Sequence, residues 1–148
     1  MSRPLQEHEA LHIAEAQAPD RDVVIALWRR AGLTRPWNDP DADFDLALGH
    51  EGSRVLVARE RDLAVGTVMV GFDGHRGWIY YLAVDEPYRR TGIARKLMRA
   101  CEEWLTARGC PKAQLMVRLE NEAAIGFYAA LGYEKQDVVT FGRRLQAP

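Results

Sequence analysis

The chain predicts an α/β domain with a mixed, mostly antiparallel sheet flanked by helices, in the order βααβββαβαβ. Three observations lead there. Strand-like runs over residues 54–58, 63–71 and 78–84 are separated by short polar turns, the pattern of an antiparallel meander. The apolar period then switches to that of a helix from Thr91 onward. A strand-helix-strand crossover closes the chain, which calls for a layered α/β arrangement rather than a doubly wound one. The length of 148 residues suits a single domain, expected over residues 11–148, with residues 1–10 as an N-terminal arm.

Each element has a local reason. The apolar stretch Leu11 to Ala16 opens the domain. Asp20 then caps a helix whose apolar residues Val23, Val24, Ala26, Leu27, Trp28 and Ala31 recur at helical spacing until Gly32 stops it. Arg35 to Asp41 reads R-P-W-N-D-P-D, a turn-rich segment whose prolines forbid a regular helix, and a short helix follows around Phe44, Leu46 and Leu48. Strands Arg54 to Ala58 and Leu63 to Gly71 flank the polar turn Arg59 to Asp62. Asp73-Gly74 suits a tight turn needing positive φ, and Trp78 to Val84 supplies the third strand of the meander. Ile93, Leu97, Met98, Cys101, Trp104 and Leu105 line one stripe of a long helix that Gly109 and Pro111 end. Ala113 to Val117 reads as a strand, Asn121 caps a helix through Tyr128 and Leu131 that Gly132 ends, and Val138 to Leu145 is expected as a last strand.

Composition excludes several classes. With 47% hydrophobic and 28% charged residues the chain can bury a core, so disorder, collagen and coiled coil are set aside. Twenty basic residues balance 21 acidic ones, which gives no global attraction to nucleic acid or to an anionic membrane. No apolar run approaches the roughly 18 residues of a membrane span, and the N-terminus lacks a signal-peptide pattern, so a cytoplasmic location is expected. The two cysteines, Cys101 and Cys110, are expected to be reduced thiols. The oligomeric state is left open, and a homodimer is compatible with the sequence.

Charge is informative locally. Residues 86–118 hold eight basic residues against Glu86, Glu102 and Glu103, and five of the eight surround the turn that opens the long helix. A small-residue turn at a helix start leaves backbone N–H groups unpaired and pointing one way, and the helix dipole adds positive charge, so a phosphate is the natural guest. Gly92 and Ala94 keep side chains out of its path. Neither G-x-x-x-x-G-K-[ST] nor G-x-G-x-x-G is present, which sets aside a P-loop and a dinucleotide fold.

Arg89-Arg90-Thr91-Gly92-Ile93-Ala94 does match the R/Q-x-x-G-x-G/A signature of the GNAT superfamily, the acyl-CoA-dependent N-acetyltransferases. The lead-in from Tyr81 to Tyr88 resembles that family's strand and turn, and Asn121 to Tyr133 resembles its second motif. Together they cover most of residues 78–133, with the helix pair and meander in the family's order. The segments R-P-W-N-D-P and G-F-D-G-H-R-G further resemble a bacterial subgroup of the family without an assigned substrate.

The resemblance implies a GNAT fold, acetyl-CoA as cosubstrate and a primary-amine acceptor, with no metal. It assigns the loop residues Arg89, Arg90, Gly92, Ile93, Ala94 and Arg95 to the cofactor's pyrophosphate, and Leu82 and Val84, on a strand that splays from its neighbour, to the pantetheine. A free N–H near Leu82 would polarise the thioester carbonyl. Asn121 would both cap its helix and approach the pantetheine. Tyr128 would donate a proton to the departing thiolate; read from helical spacing alone, it is a core tyrosine with a satisfied hydroxyl. Many relatives carry a glutamate on the strand corresponding to Trp78 to Val84, where this chain has Tyr80 and Tyr81. Asp39, His75 and Glu120 are the remaining candidates for a base, and Trp37, Asp39 and His75 for acceptor contacts. The acidic run Asp39, Asp41, Asp43, Asp45 and Glu51 would attract a cationic amine or, more simply, favour a helix start.

Two other readings remain from the sequence. One is a non-catalytic acyl-CoA-sensing module. The other is a zinc metallopeptidase through His8-Glu9-Ala10-Leu11-His12, a formal H-E-x-x-H without a third ligand downstream. Cys101, on an apolar stripe, is expected to be inert core.

Overall fold

Apolar runs separated by polar turns build a five-stranded sheet in the computed structural model, which describes residues 11–146. Strands β1 (Leu11–Glu15), β2 (Ser53–Glu60), β3 (Leu63–Phe72) and β4 (Gly77–Val84) run antiparallel to their neighbours, and β5 (Ala113–Leu115) joins β4 in parallel. Spatial order follows chain order. Helices α1 (Arg21–Arg30) and α2 (Pro40–Leu48) lie between β1 and β2. Helix α3 (Ile93–Ala107) supplies the crossover that a parallel β4–β5 pair requires, and α4 (Glu122–Ala130) follows β5. The described residues form two compact units, the first ending at Leu115 and the second beginning at Met116.

The meander is covered on both faces. Val55 and Val57 join Val24, Leu27 and Trp28 of α1 and Phe44 and Ala47 of α2 in one apolar cluster. Leu56 and Ala58, which alternation turns to the opposite face, are also buried. On that face sits α3, whose predicted stripe is realised: Ile93, Leu97, Met98, Cys101 and Leu105 are all buried. Two glycines let it approach. A Cβ on Gly66 would lie 3.1 Å from the Leu97 side chain, and one on Gly77 would lie 2.6 Å from that of Leu105.

Three boundaries differ from expectation for physical reasons. Pro40 starts α2 instead of barring it, because the first helical position needs no N–H donor, and Asp39 caps it by accepting from the N–H groups of Asp41 (3.0 Å) and Ala42 (3.4 Å). The strand at 113 ends at Leu115 instead of Val117. The last strand expected over 138–145 does not form: those residues carry no regular structure, and Val138, Val139, Phe141 and Leu145 are exposed. Strand propensity is realised only where backbone groups find a ladder, and this segment has none. Among the described residues no helix is long and apolar enough to cross a membrane.

Candidate active site

The end of β4 and the start of α3 form one continuous feature. β4 pairs with β5 only through Gly77, Trp78 and Ile79, so residues 80–84 have no strand partner on that side among the described residues. Toward β3, Thr67 faces Ala83 and Met69 faces Tyr80, which leaves Tyr81 and Leu82 opposite the single residue Val68. This is a β-bulge, and Tyr81 takes the left-handed φ of 56°.

A bulky residue at positive φ costs about 1–3 kcal/mol and persists only where its surroundings fix it. Here they do. The Tyr81 ring stacks on Trp28 with centroids 4.0 Å apart and planes 12° from parallel, and its hydroxyl donates to Asp43 Oδ2 at 2.7 Å. A stacked aromatic pair contributes about 0.5–1.5 kcal/mol and a hydrogen bond to a carboxylate about 1.5–3 kcal/mol, enough to offset the strain. Burial, then the Asp43 carboxylate, push the Tyr81 phenol well above its ordinary range.

Beyond β4 the chain is tied before it turns. The Asp85 N–H donates to Val65 O at 2.8 Å, and its carboxylate accepts from Arg30 Nε at 3.0 Å and Arg30 Nη2 at 3.3 Å. The turn Glu86–Tyr88 follows, and the Arg89 side chain folds back to donate to Val84 O at 2.9 Å. Arg90 (φ 64°) and Gly92 (φ 88°) are both left-handed and flank Thr91. Such alternation makes a concave set of N–H groups suited to an anion. Gly92 is the N-cap of α3, no side chain caps it, and no acidic residue occupies the first turn. The N–H groups of Ile93, Ala94 and Arg95 therefore have no partner within the helix. Arg90, Arg95 and Arg99 are exposed around this mouth. A Cβ at Gly92 would meet nothing within 4 Å, so glycine is required here by conformation and not by crowding.

The other predicted site residues distribute as follows. Leu82 lies in the bulge and Val84 at the buried end of β4. Trp37 is exposed in a β-turn closed by Asn38 N–H to Arg35 O, with Pro36 at its second position. Asp39 caps α2. His75 sits in the β3–β4 turn, where Asp73 Oδ1 accepts from the N–H groups of His75 (2.8 Å) and Arg76 (2.7 Å) and those bonds hold the Asp73 carboxyl below its usual range. That turn precedes β4 and the loop follows it, which separates His75 from the loop by roughly 20 Å at about 3.3 Å per residue. Of the acidic run, Asp45 pairs with Arg21 at 3.1 Å and Asp43 receives Tyr81. A cleft of about 420 Å³ lined by Glu15, Leu48, His50, Ser53 and Arg54 lies at the end of the sheet where β4 begins, away from the loop.

In the second unit, Asn121 Oδ1 accepts from Ala124 N–H at 3.1 Å and caps α4, as the sequence predicts. Tyr128 packs edge-on against Phe127 (5.1 Å) and Tyr133 (6.0 Å) and is half-buried. Glu120 lies in the exposed turn before α4. Most of the H-E-x-x-H pattern, His8 to Ala10, falls outside the described residues, and among the described residues no group of three or more His, Cys, Asp or Glu could hold a metal. Burial drives the Cys101 thiol up to about 12.

A bulged, half-unpaired strand runs into a left-handed turn and a basic helix start, an arrangement suited to an anionic ligand. The family model described as "Acetyltransferase (GNAT) family" matches residues 13–133, and the chain belongs to that family. An acetyltransferase of Pectobacterium atrosepticum is 50% identical over 126 residues, covering 85% of this chain and 89% of that protein. One of Yersinia pestis is 48% identical over 129 residues, with 87% and 92% coverage. Among solved structures, an aminoglycoside N-acetyltransferase in complex with CoA matches with a TM-score of 0.78 at 20% identity, over 92% of this chain and 95% of that one. The chain is a GNAT N-acetyltransferase with the predicted α/β class and a mixed five-stranded sheet.

Proposed function

We propose that the protein binds acetyl-CoA and transfers its acetyl group directly to a primary amine. The observation that carries this reading is the pair of left-handed residues, Arg90 and Gly92, that opens α3 immediately after the bulged end of β4. Loop amides from Arg90 to Arg95 hold the pyrophosphate, with Arg89 bracing the turn, and the open edge of β4 from Leu82 to Val84 pairs with the pantetheine. Asn121 contributes from the start of α4. The amine nitrogen attacks the thioester carbon, a C–N bond forms as the C–S bond breaks, and Tyr128 gives its hydroxyl proton to the leaving thiolate. Most of the acceleration is positional.

Cys101 is unsuited to carry the acyl group, since it is buried with its thiol pushed up to about 12. The acceptor must lose a proton before attack, because an ammonium near pKa 10.4 has no lone pair (approximate value). No carboxylate lies on β4, so we assign that proton to solvent, with Asp39, His75 and Glu120 as the side chains to test. The CoA-bound neighbour is named as an aminoglycoside N-acetyltransferase, which supports an amine acceptor here, met by Trp37 and Asp39 on the α1–α2 loop. A cytoplasmic setting supplies the acetyl-CoA.

The test is a thiol-release assay with acetyl-CoA across a library of amines, polyamines, amino acids and peptides, alongside calorimetry with CoA. Acceptor-dependent thiol release is expected. Binding without release for any amine would move the protein to acyl-CoA sensing, and absence of CoA binding would sink the donor site.

A further inference from the structure

The β4 bulge sets a tyrosine where the backbone favours glycine, and residues of two other elements hold it there. Tyr81 has φ 56°, stacks on Trp28 of α1 and donates its phenol to Asp43 of α2. Trp28 is fully buried and itself packs against Phe44 of α2, so the contact that fixes the bulge is part of the core.

We propose that Tyr81 is a positioning residue for acetyl transfer: pinned by Asp43 and Trp28, it keeps the bulge in the geometry that turns the Leu82 N–H toward the thioester carbonyl of the donor. This rests on the acetyl-transfer reading above. The register shows what the pin prevents. With Tyr81 extended, residues opposite Val68 would pair one to one, and everything from Leu82 onward would slip by a residue. A one-residue slip exchanges the faces of a strand. Leu82 would take the place of Ala83 opposite Thr67 and Ala83 that of Val84 opposite Gly66, and the Asp85 N–H bond to Val65 O that sets the loop's starting point would be lost. The pin thus fixes the N–H at the reacting carbonyl and the strand end that leads into the anion cradle.

Asp43 serves here only as an acceptor for the phenol, which stays protonated at neutral pH because burial and Asp43 raise it. An amide oxygen can accept the same bond. That separates a positioning role from a role for the negative charge.

The experiment compares wild type with Tyr81→Phe, Asp43→Ala, Asp43→Asn and the double variant Tyr81→Phe/Asp43→Ala. Its first readout needs no acceptor: the infrared carbonyl stretch of bound acetyl-CoA carrying ¹³C at the carbonyl. Wild type and Asp43→Asn should lower that stretch relative to free acetyl-CoA, and Tyr81→Phe and Asp43→Ala should return it toward the free value. With an acceptor, kcat should fall about 10- to 100-fold in Tyr81→Phe and Asp43→Ala, the range expected for a small misplacement. The double variant should be no worse than either single one, and Asp43→Asn should stay close to wild type. A Tyr81→Phe protein with wild-type stretch and kcat overturns the proposal, as does an Asp43→Asn protein as impaired as Asp43→Ala. Wild type that binds acetyl-CoA with an unshifted carbonyl overturns the pin alone. Wild type that binds no acetyl-CoA overturns the acetyl-transfer reading, and the pin's role with it.

Discussion

Replacing Gly92 by alanine tests the anion cradle against a matched control. Gly92 (φ +88°) and Gly74 (φ +90°) have nearly the same backbone angle, and at both a new Cβ would meet nothing within 4 Å. Each substitution therefore carries the same conformational cost, about 1–2 kcal/mol for an L-residue held left-handed. What differs is how firmly each residue is held. The Gly74 turn is fastened by three bonds, Asp73 Oδ1 to the N–H groups of His75 and Arg76 and Asp73 N–H to Arg76 O. It cannot relax, so Gly74→Ala should lose the cost from folding, lowering Tm by roughly 3–6 °C at about 2.1 cal/mol/K per residue. Gly92 is exposed and its own backbone makes the first helical bond, Lys96 N–H to Gly92 O at 3.1 Å, while the residues before it are tied by Thr91 Oγ1 to Tyr88 O and Arg89 Nε to Val84 O. The Gly92 backbone, at the end of that tied segment, can relax in the free protein and must be re-formed around the pyrophosphate in the proposed cradle. Gly92→Ala should therefore leave the ligand-free Tm within about 2 °C of the parent and weaken CoA binding about 5- to 30-fold, the equivalent of 1–2 kcal/mol. Calorimetric titration with CoA and a thermal melt of both variants give the four values. A dissociation constant within twofold of the parent's for Gly92→Ala, or an equal loss in Gly74→Ala, would refute the cradle.

Other expectations follow from the same structure. Leu97→Ala, at a fully buried position of α3, should cost about 2–5 kcal/mol in urea unfolding; a loss under 1 kcal/mol would mean that α3 does not seal its face of the sheet. Tyr128→Phe should lower kcat by about 100-fold or more with unchanged CoA affinity, and unchanged turnover would rule out Tyr128 as the acid. In a titration followed at 295 nm, Tyr81 should ionise after the ordinary tyrosines, and Tyr81→Phe should remove that late step. Because its folded value is raised, the associated stability is intact below about pH 10 and declines as pH rises beyond it; loss of a mid-range step instead would contradict the buried phenol. Native protein should show a single thiol reactive toward a disulfide reagent, Cys110, and a Cys101→Ser protein that still reacts identically would agree with the buried, raised thiol of Cys101.

The elements most legible in the sequence are those whose reason is local. The α3 stripe, the Asn121 cap, the Asp73-Gly74 turn and the Gly92 helix start can each be read within a dozen residues. The bulge cannot. Its left-handed residue is a tyrosine, and what holds it comes from 53 positions earlier at Trp28 and 38 positions earlier at Asp43. Asp43 stood in the sequence as one of five acidic residues with a common meaning, whereas the fold gives them separate ones: a cap at Asp39, an ion pair at Asp45, a phenol partner at Asp43. The only hint was a tyrosine pair where many relatives carry a carboxylate. Residues 138–145 fail in the opposite way, since apolar, β-prone residues state a preference and a ladder partner decides whether it is met.

The glycines under α3 reverse an ordinary rule of protein engineering. Exchanging glycine for a residue with a side chain inside a strand normally stabilises by restricting the unfolded chain, and is a routine route to heat resistance. At Gly66 and Gly77 the added carbon would press on Leu97 and Leu105 and lift the helix whose first turn we propose as the cofactor's anion cradle. A stabilisation campaign guided by strand propensity alone would select these two positions early. At Gly66 it would press on Ile93 and Leu97 and shift the start of α3, and at Gly77 it would shift the end of the helix at Leu105.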